Sequence, residues 1–513
     1  MDFDDIVVGG GSAGAVLAAR LSEEPARRVV LLEAGPDYAS LESTPDDLQD
    51  GSRMSLRAHD WGLTAEAVPG RVIPYPRGRV IGGSSAVNAT IALRGVPADY
   101  DEWAALGNDE WSWAKVLPSF RRLEDDPEGD SELHGRGGPI GICRWRPDEL
   151  IPVQRAFFDV CRNLGFPEVA DHNHPEAAGV GPFPQNRRGR LRLSTALGYL
   201  LPARHRPNLT IWPRCLVNRV LVTGGRAVGV DIAGDGGPGQ VRGRRITLAA
   251  GAIGSPSILL RSGIGPRAAL AGLGIEPVAD LPGVGAGLAD HPVTRLLLVP
   301  KPGSCDPESP LAQVVLRYTA PGSGEFNDMQ QVMFSHVDVA GIGGQQAVAA
   351  VGTPLAIGLP VALERPRARG RLRLASPDPR VPPLIDLNFA TDPQDLRRLV
   401  EGVRLAWQIA HQPQIARHTH HVAQLSEETM SSDDALAAYV RATVSTQFHP
   451  CGTARMGPPG DAMAVVDQHC RVRTIENLRV ADASVMPAIP RANINLTAIM
   501  IGEHVSDWMR DEA

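Results

Sequence analysis

The stretch that most limits what this chain can become is its first forty residues. Gly9, Gly11 and Gly14 form a G-x-G-x-x-G run between an apolar strand, Asp5 to Val8, and a helical run from Ala13 to Leu21. The first glycine permits a tight turn, the second lets backbone approach a pyrophosphate, and the third lets helix and strand pack closely. The helix start adds free amides and partial positive charge, which favour phosphates. A second strand, Arg28 to Glu33, ends on a carboxylate about 20 residues after Gly14, where it accepts from a ribose diol and repels a 2′-phosphate. These features predict a doubly wound sheet that holds a dinucleotide, without saying which one.

The remaining chain is too long for one core. At 513 residues two domains, or one with long insertions, are expected. Further apolar strands, Ile246 to Ala250 and Leu478 to Ala481, continue the first sheet, with a helix from Ser255 to Ser262 after the former. Asp328 to Val337 and Gly370 to Leu374 alternate as antiparallel strands do, and Ala347 to Leu363, broken by Gly352, Pro354, Gly358 and Pro360, reads as two short strands rather than a membrane span. The expected class is α/β, α+β overall: a discontinuous Rossmann-like cofactor domain (1-145, 185-292 and 436-513) interrupted by a substrate domain on an antiparallel sheet (146-184 and 293-435). A net charge of -7 offers no basic field for nucleic acid. The six cysteines form no Cys-x-x-Cys pair and read as packed thiols, with no metal site. Three aspartates and an apolar strand follow Met1 with no secretory pattern, which leads to an expectation of a cytoplasmic protein.

Two longer stretches identify the dinucleotide. Gly78 to Asp101 reads GRVIGGSSAVNATIALRGVPADYD, and Gly251 to Gly265 reads GAIGSPSILLRSGIG. LPGVGAGLADHP (Leu281 to Pro292), RPRARGRLRLASPDP (Arg365 to Pro379) and ADASVMP (Ala481 to Pro487) follow in order. Together they resemble the glucose-methanol-choline (GMC) oxidoreductases over essentially the whole chain. The resemblance implies FAD, with Gly9, Gly11, Ser12, Ala13, Gly14, Glu33 and Ala34 at its ADP part and Val217 near adenine. It implies Arg79, Gly82, Gly83, Ser84, Asn88 and Ala89 near the flavin, Ala250 and Gly251 beside the adenosine half, and Asp482 and Ala483 along the pyrophosphate and ribityl chain. Small residues in GGSS let backbone lie against a flat ring, and Asn88 can donate to its heteroatoms. Val87 stands where some relatives carry a tethering histidine, so the FAD is expected to be non-covalent.

An alcohol becomes a carbonyl only if its hydroxyl proton leaves along with the hydride, so a base is required. Among 14 histidines, His449 lies in QFHPCGTARMG, which resembles the family's H-x-x-G-T-x-x-M-G segment, whereas His418, His420 and His421 read as a solvated helix end or core satellite. The partner comes from PRANINLTAIMIGEHVSDW. Asn493, 44 residues after His449 and 14 before Asp507, matches the register of the family's second catalytic group, while Asn495 reads as a helix cap or, as an alternative, the substrate contact. An amide orients an oxygen but removes no proton at neutral pH, so His449 is the expected base. The expected activity is oxidation of an alcohol, expected to be a primary one, with O2 or another acceptor reoxidising the flavin. Pro360 and Ala362 are expected in the substrate pocket. A flavin lyase resembling the hydroxynitrile lyases, and sugar oxidation, are the alternatives.

Overall fold

Short runs of valine, leucine and isoleucine, buried on both faces, build the sheet around the glycine turn. In a computed structural model, described over residues 2–233 and 239–512, strand Asp2–Val8 pairs in parallel with Val29–Leu32 and with Gln240–Leu248. Leu209–Trp212 and Leu478–Val480 extend the parallel part at either side. Leu216–Thr223 and Arg226–Ala233 join antiparallel to Gln240–Leu248, giving seven strands among the described residues. The parallel strands end together, so their carboxyl ends bring Gly9, Glu33, Ala250 and Asp482 to one edge. In open α/β sheets that edge is where ligands bind.

A second sheet has eight strands among the described residues, paired antiparallel throughout, with Pro292–Pro300 and Leu355–Leu363 at its centre. Side chains alternate across it. Leu296, Leu298, Leu359 and Val361 belong to the main core on the side of helix Pro393–Ala410, and Gln331 on that side donates to Gly402 O at 2.9 Å. The opposite face carries Val293, Arg295, Pro360, Ala362 and Gln330, paired across neighbouring strands. A separate apolar cluster, in which Val315 and Val332 meet Ile91, Leu93, Phe183 and Ala492, lies away from the main core. A third sheet joins Thr64–Val68 and Arg71–Pro74 to Ala286–Leu288, Gly370–Arg373 and Leu384–Asp386, so it draws strands from both expected domains.

Two expectations are corrected. Ala347 to Leu363 is not two strands: helix Val339–Val351 ends at Gly352 with φ +85°, and Leu355–Leu363 is one unbroken strand. Pro360 is tolerated there because the neighbouring strand breaks between Val332 and Phe334. His420 and His421 lie exposed on strand Thr419–Ala423, which pairs with Pro292–Pro300, and not at a helix end. The six cysteines are free, four of them buried. Among the described residues no helix is long and apolar enough to cross a membrane.

Candidate active site

The glycine turn has the crowding its motif requires. A Cβ at Gly14 would stand 1.9 Å from Gly9 O, and one at Gly9, where φ is +100°, would stand 2.6 Å from Ala249 O. At Gly11 the nearest atom would be Gly83 Cα at 3.8 Å, and at Gly251 nothing lies within 4 Å. Open space thus runs over the turn where a phosphate chain needs backbone contact. The amides of Gly11, Ser12 and Ala13 donate to no backbone acceptor among the described residues, so the turn keeps free donors for an anion. The Gly78–Asn88 segment closes over it, with Gly82 N donating to Gly10 O at 2.7 Å. Glu33 accepts from Gly10 N and Gly35 N, each at 2.8 Å, and burial raises its pKa against those bonds. Arg79, stacked on Trp61 with its guanidinium 4.9 Å from the ring centroid, adds positive charge near Glu33. Cys215 N donates to Glu33 O at 2.8 Å, which brings the start of strand Leu216–Thr223, and buried Val217, to the Glu33 end. These features fit a dinucleotide.

Asp482 has a different immediate task. Its Oδ2 accepts from Gly251 N at 2.9 Å and Ser255 Oγ at 2.6 Å, and its Oδ1 from the amide and hydroxyl of Ser484. It ties the helix start at Gly251 to the Ala483 turn. Gly452 N, three residues after His449, donates to Ala483 O at 3.1 Å and joins this turn to the His449 segment. Asn88 Oδ1 accepts from Thr90 N at 2.9 Å, which leaves its amide nitrogen for another acceptor; Ala89 packs against the apolar cluster that contains Ala492.

The two residues expected to act together do meet. Asn493 Nδ2 lies 3.2 Å from His449 Nε2, and His449 Nδ1 lies 2.9 Å from His291 Nδ1. Asn493 Oδ1 is buried and has no partner among the described residues. An amide NH2 only donates, so His449 Nε2 is the acceptor, Nδ1 carries the proton, and His291 Nδ1 receives it; this tautomer is assigned from the bonding pattern. Burial, then His291 and Arg77, hold the His449 pKa well below 6.5, and burial takes His291 down to about 3. Both rings are therefore neutral near pH 7. Glu364 Oε2 lies 3.4 Å from His291 Nδ1, its Oε1 accepts from Gln447 Nε2, and burial pushes its pKa up to about 7.

Asp290 sets the His449 backbone. Its carboxylate accepts from His449 N at 2.9 Å, Thr446 Oγ1 at 2.6 Å and Tyr75 OH at 2.5 Å. Between them Phe448 takes a left-handed φ of +66°, fixed by Thr446 Oγ1 accepting its amide and by Arg77 donating to its carbonyl at 2.7 Å. Asn493 is set by buried charge: Arg491 is clamped by Asp99 through Nε at 2.7 Å and its amide at 2.9 Å, and Arg317 donates to Arg491 O. Asn495 is not a cap. The helix Asn495–Asp511 has no side-chain cap, and Asn495 Oδ1 instead accepts from Ser12 Oγ at 2.8 Å, tying that helix to the glycine turn. Asp290, His291 and Glu364 escaped sequence reasoning; for the first two the signal was an Asp-His pair inside the otherwise apolar LPGVGAGLADHP stretch, and for Glu364 a carboxylate closing the apolar run Leu355–Leu363.

Away from this site, Glu124, Asp126 and His134 have metal-like spacing. Burial alone would lower His134, yet bonds to Asp126, Asp171 and Glu124 raise it to about 10. Arg94 bonds Glu124, and Arg144 bonds Asp126 and Asp171 at 2.9 and 2.7 Å. Three carboxylates thus face three cations, so the knot is neutral without a metal.

Sequence models described as GMC oxidoreductase match residues 3–293 and 366–502. The chain is 37% identical over 540 residues to a 5-(hydroxymethyl)furfural oxidase of Methylovorus sp. (strain MP688), covering 100% of this chain and 99% of that one. It is 34% identical to an oxygen-dependent choline dehydrogenase of Photobacterium profundum, covering 98% and 92%. The crystal structure of pyridoxine 4-oxidase from Mesorbium loti superposes with a TM-score of 0.90 at 31% identity, over 99% of each chain. The fold around the glycine turn, the cofactor FAD and oxidation at a CH–OH donor follow together, and the chain belongs to the GMC oxidoreductase family.

Proposed function

We propose that this enzyme oxidises a primary alcohol to the aldehyde, with His449 as the base, Asn493 as the group that holds the carbinol oxygen, and FAD bound without a covalent tether. The observation that carries the reading is the direction of the hydrogen-bond chain: Asn493 and His291 occupy opposite sides of His449 and leave Nε2 as its proton acceptor. The Gly9–Gly14 turn and Glu33 would hold FAD, which would supply the hydride acceptor for the carbinol carbon. His449 Nε2 takes the hydroxyl proton, and Asn493 Nδ2 donates to the oxygen as negative charge grows there. His291 stays neutral and keeps its Nδ1 lone pair on His449 Nδ1–H, which stabilises the imidazolium as it forms. Burial of both rings excludes water from the proton transfer. Pro360 and Ala362 share a sheet face with Glu364, which supports their place in the substrate pocket, and the cluster around Val332 supplies an apolar wall. Val87, in place of a ring that could form a bond to the flavin, supports non-covalent FAD. The names of the similar oxidases support O2 as the acceptor.

Anaerobic mixing of the holoenzyme with a panel of aryl, alkyl and sugar alcohols tests this. Bleaching of the flavin by primary alcohols, followed by peroxide on admitting air, is the expected result. A flavin that stays yellow while the substrate is cleaved would replace oxidation with a lyase.

A further inference from the structure

Two polar side chains on the site-facing side of the eight-stranded sheet have no partner among the described residues. Arg295 stands cross-strand from Pro360, and Gln330 cross-strand from Ala362. Their sequence neighbours face the other way: Thr294 bonds to Thr443 and Gln331 to Gly402, both on covering helices. Alternation therefore puts Arg295 and Gln330 on the face of Glu364, which lies beside His291. Among the described residues the Arg295 guanidinium has neither a hydrogen bond nor an ion pair; beyond the strand ladder, the residue's carbonyl accepts from Tyr439 OH. Burial lowers its pKa with no carboxylate to offset it. Gln330 is 3% exposed, its Oε1 is unpartnered, and its amide nitrogen donates to nothing among the described residues. An unpartnered oxygen as deeply buried as Gln330 Oε1 is costly, Arg295 is half-buried with its guanidinium open to a ligand, and proton removal at His449 uses neither of them.

We propose that Arg295 and Gln330 bind a carboxylate on the alcohol, so that the favoured substrates carry a monoanionic acid at the end remote from the carbinol. The proposal rests on the alcohol-oxidation reading above. The two residues are two strand spacings apart and offset by two residues along the strands, roughly 12 Å, a gap their side chains and a carboxylate between them close from either side. A guanidinium pairs with both carboxylate oxygens at once, and the Gln330 amide donates to one of them. Arg317, cross-strand from Gln330, is already committed to the carbonyls of His172 and Arg491, which leaves the Arg295 guanidinium as the open cation for a carboxylate. A quaternary ammonium is repelled. The apolar cluster around Val332 accommodates the body between acid and carbinol.

Two measurements on the holoenzyme test this. In anaerobic flavin reduction, 4-(hydroxymethyl)benzoate is expected to exceed 4-methylbenzyl alcohol by about 10- to 100-fold in kcat/KM, the range of a charge-assisted pair. That ratio should fall toward one in Arg295→Met and keep part of its value in Arg295→Lys, which retains the charge if the methionine variant does not fold. A wild-type ratio at or below one, or a ratio unchanged in Arg295→Met or raised in Arg295→Lys, overturns the proposal. Calorimetric titration with benzoate and with benzamide is independent of turnover. Benzoate alone should bind, and Arg295→Met or Arg295→Lys should weaken it; equal binding of the two, or no binding of benzoate, overturns the proposal. If no alcohol of either kind bleaches the flavin while benzoate still binds through Arg295, the oxidation reading fails and the carboxylate site stands.

Discussion

Replacing Asp290 with alanine removes one side chain that three donors share. His449 N, Thr446 Oγ1 and Tyr75 OH lose their acceptor at once, in surroundings where water cannot replace it. Each bond to a charged group is worth about 1.5–3 kcal/mol, and removing a buried carboxylate returns part of the sum, so a net loss of about 3–6 kcal/mol is expected. Unfolding entropy of about 2.1 cal/mol/K per residue gives roughly 1 kcal/mol/K for a chain of this length, so the thermal midpoint should fall by about 3–6 °C. The left-handed Phe448 turn loses its brace as well, and His449 with it. Flavin reduction should slow while the flavin remains bound, because Asp290 touches the His449 segment rather than the dinucleotide turn. Differential scanning calorimetry and anaerobic stopped-flow absorbance read the two effects. A midpoint within a degree of wild type together with an unchanged reduction rate would refute the reasoning.

Three further outcomes follow. Gly14→Ala puts a methyl group into Gly9 O and should prevent assembly of the turn, so the purified protein would carry no flavin; normal flavin loading would contradict the packing described. Because burial holds His449 below 6.5, its base form persists on acidification: in Glu364→Gln, which removes the carboxyl that titrates near 7 beside His291, flavin reduction by a neutral alcohol should stay flat from pH 8 to below 6 and fall only as pH drops through the depressed pKa, and an inflection at or above 6.5 in that variant would count against it. A chelator should leave the thermal midpoint unchanged because the Glu124–Asp126–His134 knot is already neutral, whereas His134→Ala should lower it by leaving three carboxylates with two cations.

What could be read in the chain was local. Gly9, Gly11, Gly14 and Glu33 reveal themselves because turn, helix start and strand end lie within forty residues and each has its own steric or electrostatic demand. His449 and Asn493 are legible through the patterns flanking them, but nothing there says that their side chains bond. That contact needs Asp99 and Arg317 to fix Arg491 from distant elements. Asp290, His291 and Glu364 act through strand pairing: Pro292 stands opposite Thr446 and Val293 opposite both Ser445 and Ala362, pairings that leave no periodic trace in sequence. Ala347 to Leu363 departs from its expectation because glycine and proline do not all break structure alike. Gly352 does end a helix, while Pro360 sits inside a strand whose neighbour is interrupted beside it.

Proton removal by His449 is the step on which oxidation at this site depends most directly. In holoenzyme carrying His449→Ala, anaerobic mixing with a substrate alcohol measures flavin bleaching without any contribution from reoxidation. The variant should retain its yellow flavin, because His449 lies apart from the glycine turn, and its reduction rate should fall by about 10²- to 10⁴-fold, the range a positioned base contributes. Reduction at close to the wild-type rate would contradict the central claim.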